Sequence, residues 1–431
     1  MERAEAVRTS LIKGAPTFWV REDDPIPEPG DEGRAAVLSA VARWRRFAPV
    51  LGKIFAADIP DGMIESPLCG IPALVARFSS RNAPADLGSR VFVKCDHCLP
   101  LTGSIKARGG VYEVLRIAER SALRAGILRP DQDYDVLAAP AARAWFATQR
   151  IVVGSTGNLG FAVGRTARAL GFEIDVHMSR DAKPWKKERL TQIGATVIEH
   201  AADYSSAVAA ARESSATVPG SYFIDDERSK ELFFGYSAAA AELASQLLRT
   251  GVAIDADRPL CVYLPCGVGG APAGVLYGLR ALLGPHVWGF FAEPTAAPCM
   301  MLRLIGMPAT ATVYDLGLDN QTIADGLAVA RASDFAYQMI GSQLMGAYTV
   351  TDDQMLCWLA AASGEHLRLE PAAATGFAGA LDAIWQLPRG PLTSRLARAN
   401  HVIWTTGGSL LPEADYADLL AQASRTLRDI S

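Results

Sequence analysis

The chain has 431 residues, half of them hydrophobic and a fifth charged, which is the composition of an ordinary globular protein. Its formal net charge of −4 argues against nucleic acid or an acidic membrane surface as a partner. The charged N-terminus and the lack of a long apolar stretch predict a cytoplasmic protein without a membrane span. The length favours two domains or one large domain with a smaller lobe.

Seven cysteines, an odd number, predict reduced thiols rather than a disulfide framework. Cys95 and Cys98 form the one C-x-x-C pair. A zinc site would need a second pair or histidines at ligand spacing, and a redox site would need a thioredoxin-like context. We therefore favour a structural role for these two thiols.

Apolar β-rich runs alternate with glycine turns and helical patterns along most of the chain, which predicts parallel βαβ units and an α/β fold. A helix with a solvated arginine cluster is expected at 35–47, and 120–150 is interpreted as an insertion. The main predicted elements are strands at 90–94, 151–153, 173–178, 196–199, 260–264, 287–292 and 401–404, and helices at 104–124, 161–170, 186–192 and 271–283.

Four of these strands end in turns of small residues: TGSIKARGG, GSTGNLG, CGVGGAP and TTGGS. In open parallel sheets, ligands bind beyond the carboxyl ends of the strands, where such turns gather. We therefore predict that the four turns together form the active site.

The turn GSTGNLG, at 154–160, allows two interpretations. It resembles a dinucleotide-binding turn, but the next strand ends in Met, Ser and Arg instead of the acidic residue that would bind a ribose. Alternatively, the backbone N–H groups bind a small carboxylate together with Ser155, Thr156, Gly157 and Asn158.

A phosphate site is predicted at Gly267, Val268, Gly269 and Gly270, because successive N–H groups at a helix start can converge on one anion. Lys106 lies in the predicted first helical turn after a strand, where the helix dipole and burial would lower its pKa. A neutral lysine amine is a nucleophile toward an aldehyde.

An aldehyde, a phosphate and an amino-acid carboxylate together describe pyridoxal phosphate (PLP) and its substrate. The last turn offers Thr405 and Thr406 to the pyridine nitrogen. A neutral hydroxyl cannot hold that nitrogen protonated, so the ring is a weaker electron sink. This disfavours transamination and favours loss of a β-leaving group.

Over almost its whole length the chain resembles the fold type II PLP enzymes, and among them the bacterial D-serine dehydratase family. The blocks that carry the resemblance are PLTGSIKARGGVYEVL, VGSTGNLGFAVG, FIDDERSKELFFGYS, VYLPCGVGGAPAGV, FFAEPTAAPCML, ADGLAVARAS, LRLEP and IWTTGGSLLPE. Two departures are Ala271, where the family pattern tends to glycine, and the two cysteines of CDHC.

The resemblance implies two three-layer α/β domains with mostly parallel twisted sheets and an active site in the cleft between them. The large domain would comprise 1–147 and 228–431, and the small domain 148–227. A monomer that closes over its substrate is also implied.

The resemblance further implies roles for individual residues. Lys106 would form the Schiff base, Asn158 would bind the phenolic oxygen, Gly267–Gly270 would hold the phosphate, and Thr406 would face the pyridine nitrogen. Glu293 matches a position that helps to bind potassium or sodium, although a buried, paired glutamate is an alternative interpretation.

The implied reaction is elimination from D-serine, or D-threonine, to a keto acid and ammonia, with Thr156 or the cofactor phosphate supplying a proton to the leaving hydroxyl. A D-amino acid presents its Cα hydrogen to the face opposite that of an L-substrate, so a second acid/base group is useful. We expect Asp226 to be that group, with Asp225 as the fallback.

Three alternatives remain open at this point. One is an L-serine or L-threonine dehydratase or a serine racemase, against which the FIDDE and CGVGG blocks argue. Another is an NAD(P)-dependent oxidoreductase, which would leave Lys106 unexplained. The third is a non-catalytic binding module, which the presence of both Lys106 and Asn158 disfavours.

Overall fold

The computed structural model describes residues 2–21, 29–155, 157–180, 182–201 and 204–430. Strands and helices alternate through most of the chain, as the α/β prediction requires. The strands are β1 (Phe18–Val20), β2 (Leu68–Gly70), β3 (Val91–Cys95), β4 (Arg150–Gly154), β5 (Glu173–Ser179), β6 (Thr196–His200), β7 (Ser221–Ile224), β8 (Leu260–Pro265), β9 (Val287–Pro294), β10 (Gly346–Val350) and β11 (Asn400–Thr405).

The helices cover the faces of the sheets formed by these strands. They are α1 (Glu2–Ile12), α2 (Asp31–Ile54), α3 (Pro72–Phe78), α4 (Tyr112–Arg124), α5 (Pro140–Phe146), α6 (Asn158–Leu170), α7 (Pro184–Gln192), α8 (Tyr204–Thr217), α9 (Lys230–Ser237), α10 (Ala239–Arg249), α11 (Gly270–Leu283), α12 (Cys299–Leu304), α13 (Asp334–Ile340), α14 (Asp352–Ser363), α15 (Pro371–Leu381), α16 (Pro391–Leu396) and α17 (Glu413–Ile430). None of these helices combines the length and the apolar character that crossing a bilayer requires.

Two sheets organise the described part of the chain. The larger has seven strands in the order β1-β10-β9-β8-β11-β3-β2, and the smaller has four in the order β6-β5-β4-β7. All pairs are parallel except β1 with β10 and β2 with β3, which are antiparallel edge pairs. The parallel strands β8, β9 and β11 are buried along their whole length, which explains their nearly continuous apolar sequences.

The seven strands β3, β4, β5, β6, β8, β9 and β11 lie within one or two residues of the predicted bounds. Four strands escaped the sequence analysis. Two of them, β1 and β2, have only three residues each, which is too short for an alternating pattern to show. Part of the supposed insertion at 120–150 forms α5, whose Ala142 and Phe146 are buried in the core.

The helix predicted at 104–124 begins later and less regularly than expected. Lys106 precedes a single π-helical turn at Ala107–Val111, and α4 follows at Tyr112. Gly109 belongs to that turn and packs so closely on the ring of Tyr236 that a Cβ atom would lie 2.4 Å from the ring. Lys106 is therefore held at the start of a tight, closely packed turn.

Candidate active site

A single cleft collects the predicted turns, which come from distant parts of the sequence. It contains about 740 Å³ of space, part of which is open solvent. Its lining includes Lys106, Ser155, Asn158, Asp226, Gly267–Gly270 and Thr406. The structure therefore brings together most of the predicted site residues. Thr156 lies outside the described residues, and Gly157 and Glu293 do not line this cleft.

Lys106 reaches into this cleft as a partly buried side chain. Its Nζ atom lies 3.3 Å from Oδ2 of Asp226 and 5.8 Å from the centre of the Tyr236 ring. The contact with Asp226 spans 120 positions of sequence. A lysine amine thus faces the cleft with a carboxylate within hydrogen-bonding distance, which is the arrangement that acid/base chemistry at this amine requires.

The structure distinguishes between the two neighbouring aspartates that follow β7. Asp225 forms an ion pair with Arg212 at 2.9 Å and accepts a hydrogen bond from the backbone of Glu227. Asp226 lines the cleft, and its Oδ1 atom is buried without a hydrogen-bond partner among the described residues. Of the two acids, Asp226 is the one positioned to act on a bound molecule.

The turn after β4 is shaped by a serine and a glycine. Ser155 Oγ accepts hydrogen bonds from the backbone N–H groups of Gly157 (3.0 Å) and Gly160 (2.8 Å). Gly157 has a φ of 137°, and a Cβ atom there would lie 2.5 Å from Cδ of Lys186. The turn is therefore closely packed, and it places the N-terminus of α6 at the cleft, where a carboxylate is favoured.

Asn158 begins α6 and contacts an acid that the sequence analysis did not assign. Its Nδ2 atom donates to Oε1 and Oε2 of Glu370, at 3.1 and 3.3 Å. Glu370 lies in the LRLEP block and lines the same cleft. The resemblance of the LRLEP block to the family was the signal in the sequence that could have identified Glu370.

The glycine turn at Gly267–Gly270 leaves no room for side chains on one face. A Cβ atom at Gly267 would lie 2.9 Å from the carbonyl oxygen of Gly326, and one at Gly269 would lie 2.5 Å from Cε of Met300. The carbonyl oxygen of Val268 accepts a hydrogen bond from the backbone of Ser333. Because α11 starts at Gly270 and adds its dipole, the turn is suited to a phosphate.

Thr406 and the lysine turn are joined directly. The backbone N–H of Ile105 donates to the carbonyl oxygen of Thr406 at 2.8 Å, and Ser104 forms a bridge with Gly407. The residue adjacent to Lys106 is therefore held against the residue predicted to face the pyridine nitrogen.

A second connection, the Asp96 brace, consists of Asp96, Arg108 and Trp404. The buried carboxylate of Asp96 accepts from Nε and Nη2 of Arg108, at 2.7 and 2.8 Å, and from Nε1 of Trp404 at 2.8 Å. Burial alone would raise the pKa of Asp96, but the guanidinium of Arg108 outweighs it and holds that pKa below its usual value. The brace thus links the turn after Lys106 to β11, the strand that ends just before Thr406.

Glu293 is fully buried, and both of its carboxylate oxygens accept backbone hydrogen bonds. The donors are the N–H groups of Met300 (2.7 Å) and Met301 (2.9 Å) at the start of α12. Burial raises the pKa of Glu293 to about 8. Among the described residues there is no cluster of three or more His, Cys, Asp or Glu side chains that could hold a metal ion.

The chemistry of the cleft fits PLP on several independent points. The glycine turn is shaped for a phosphate, Lys106 supplies an amine for an aldehyde, and Thr406 adds a neutral hydroxyl-bearing residue to the lining. The partnerless Oδ1 atom of Asp226 is a buried polar group that a bound molecule would satisfy.

Comparison with known proteins agrees with this interpretation. Residues 71–391 match the family model described as "Pyridoxal-phosphate dependent enzyme". A protein of Sinorhizobium medicae named "Probable D-serine dehydratase" is 46% identical, with 98% of each chain covered. A protein of the same name from Burkholderia pseudomallei is 48% identical and covers 96% of this chain, and 94% of its own length is matched.

Solved structures share the fold at low sequence identity. Holo diaminopropionate ammonia lyase from Escherichia coli is 18% identical with a TM-score of 0.70, and the alignment covers 94% of this chain and 97% of the lyase. The same lyase has been solved in complex with D-serine, at 16% identity and a TM-score of 0.70, with the same coverage. These findings remove the NAD(P)-dependent oxidoreductase alternative, and the chain belongs to the family of pyridoxal-phosphate dependent enzymes, with the fold type II architecture.

Proposed function

We propose that this enzyme converts D-serine to pyruvate and ammonia, by eliminating the β-hydroxyl as water and then taking up one water as the nitrogen is released, with D-threonine as a second candidate substrate. The observation that carries the proposal is the contact of Lys106 with Asp226 inside a cleft built for PLP. The name shared by relatives that are 46% and 48% identical supports D-serine as the substrate.

The chain's own residues would bind and orient the substrate. The Ser155–Asn158 turn would hold the carboxylate at the start of α6, and Gly267–Gly270 would hold the cofactor phosphate at the start of α11. PLP, when bound, would supply an electron sink that makes the Cα hydrogen of the substrate acidic.

Two groups on the chain would then move protons. Lys106, whose amine faces the cleft, would accept one from the substrate. Asp226 lies within 3.3 Å of that lysine and provides the second acid/base group that a D-configured substrate requires. The β-hydroxyl leaves as water once it has received a proton, for which Thr156 remains the predicted donor or relay.

The test is to measure pyruvate or 2-oxobutanoate formed from D-serine, L-serine, D-threonine and L-threonine. Lys106→Ala should lose both turnover and the visible absorption of the cofactor. Asp226→Asn should keep the cofactor and lose roughly a hundredfold or more in kcat with D-serine. Normal turnover of D-serine by Asp226→Asn, or a preference for an L-amino acid, would contradict the proposal.

Other features remain proposals with their own tests. A monovalent cation beside Glu293 would use the carboxylate's remaining lone pairs, and activity in potassium, sodium and a bulky organic cation would reveal it. We also propose a small domain at 148–227, which is the range that contains the four-stranded sheet, and closure of this domain over the substrate. The monomeric state is checked by light scattering, and a cytoplasmic location by cell fractionation.

A further inference from the structure

Glu370 is a partly buried acid at the edge of the cleft with no role in the reaction described above. It occupies the residue before α15, where a side chain commonly caps the helix, but its carboxylate makes no hydrogen bond to that helix. Its backbone N–H donates to the carbonyl oxygen of Gly407 at 3.0 Å, next to Thr406. The side chain is thus directed away from its own helix and toward the cofactor site.

The partner of this carboxylate is Asn158. Both oxygens lie within hydrogen-bonding distance of the same amide nitrogen, across 212 positions of sequence. The carboxylate has space only because residue 407 is a glycine. A Cβ atom at Gly407 would collide with Oε1 of Glu370. The contact therefore depends on a glycine in the TTGGS turn as well as on the acid itself.

The geometry points to Glu370 as a positioning residue that sets the orientation of the Asn158 amide toward the cofactor. An ionised carboxylate can only accept hydrogen bonds, so the amide nitrogen has to face Glu370. One N–H of that nitrogen is then used by the acid, and the second is available to the phenolic oxygen of PLP. The inference rests on the proposed contact of Asn158 with the cofactor.

A nearby lysine supports the ionised form of Glu370. Lys186 is buried on α7 and forms an ion pair with Asp325 at 2.6 Å. Burial, together with the carboxylate of Asp325, raises the pKa of Glu370 above its usual value. The positive charge of Lys186 and the hydrogen bond from Asn158 limit that increase. The charged groups that face Glu370 thus come from α7 and from the loop that carries Asp325.

A double-mutant cycle separates positioning from a purely structural role. The variants are Glu370→Ala, Asn158→Ala and the two combined, and the measured quantities are the PLP dissociation constant and the visible absorption spectrum without substrate. We expect each single change to weaken PLP binding about tenfold, and the combination to weaken it about tenfold rather than a hundredfold, because both changes remove one coupled contact. Both single variants should also shift the visible band in the same direction.

Two further variants complete the experiment. Glu370→Gln retains an oxygen that accepts from Asn158, so it should bind PLP within about threefold of the parent. Glu413→Ala removes an exposed acid that pairs with Arg368, and it should change neither PLP binding nor the spectrum. Thermal unfolding of the PLP-free variants shows whether each one folds.

Additive losses in the cycle, unchanged PLP binding by Glu370→Ala, or a Glu370→Gln variant as impaired as Glu370→Ala would each overturn the inference. The kcat and KM for D-serine form a separate readout. If the parent enzyme does not convert D-serine, the proposed function fails, whereas the PLP-binding cycle still decides the role of Glu370.

Discussion

Replacing Asp96 by asparagine removes the central charge of the Asp96 brace while keeping the shape of the side chain. The carboxylate accepts hydrogen bonds from Arg108, from Trp404 and from Ser66 Oγ, the last at 2.7 Å. Breaking a buried ion pair by changing one partner usually costs about 3–5 kcal/mol. Arg108 retains Glu242 at 2.8 Å as a second partner, so we expect a loss near the lower end, about 3 kcal/mol.

Chemical denaturation of the PLP-free protein, followed by far-UV circular dichroism, measures this loss in the free energy of unfolding. Trp404→Phe is the comparison variant. It removes one hydrogen bond to the same carboxylate, which should cost about 1.5–3 kcal/mol, and the smaller ring adds the cost of a cavity because Trp404 is fully buried. Folded Asp96→Asn should also bind PLP more weakly, since the turns of Lys106 and Thr406 are no longer held together. A free energy of unfolding within about 0.5 kcal/mol of the parent would refute the reasoning.

Three further changes test other parts of the structure. Gly269→Ala should weaken PLP binding, because alanine is strained by about 1–2 kcal/mol at positive φ and its Cβ atom would collide with Met300. Gly306→Ala is the control: it has a φ of 89° but open space around it, so PLP binding should be unchanged. Lys186→Met breaks the ion pair with Asp325, which joins the proposed small domain at 148–227 to the rest of the chain, but it keeps the apolar stem against Gly157. We expect this loss to weaken closure of that domain over the substrate and to raise KM for D-serine roughly tenfold. A loss confined to kcat would contradict a role of Lys186 in domain closure. Burial raises the pKa of Glu113 from 4.5 to about 8, so its contribution to stability is present below pH 4.5 and is lost as the pH rises through about 8. Glu113→Gln should therefore flatten the decrease in the free energy of unfolding across this range, and an unchanged pH profile would show that the acid is ionised in the folded protein.

The sequence alone was sufficient for the features that local chemistry determines. Central parallel strands are buried on both faces, so β8, β9 and β11 are visible as apolar runs, and the glycine turns after β8 and β11 follow from backbone constraints. A lysine among small residues, together with a phosphate turn, was enough to predict PLP. The edge strands β1 and β2 carry no such pattern, because three residues bury too little surface to leave one.

Only the tertiary structure decided which side chains meet. Asp225 and Asp226 are adjacent and chemically alike, yet one pairs with Arg212 while the other faces Lys106. The contact of Glu370 with Asn158 joins residues 212 positions apart. Such contacts depend on where each chain segment leaves its sheet and on which distant segment packs against it, and local sequence patterns contain neither of these facts.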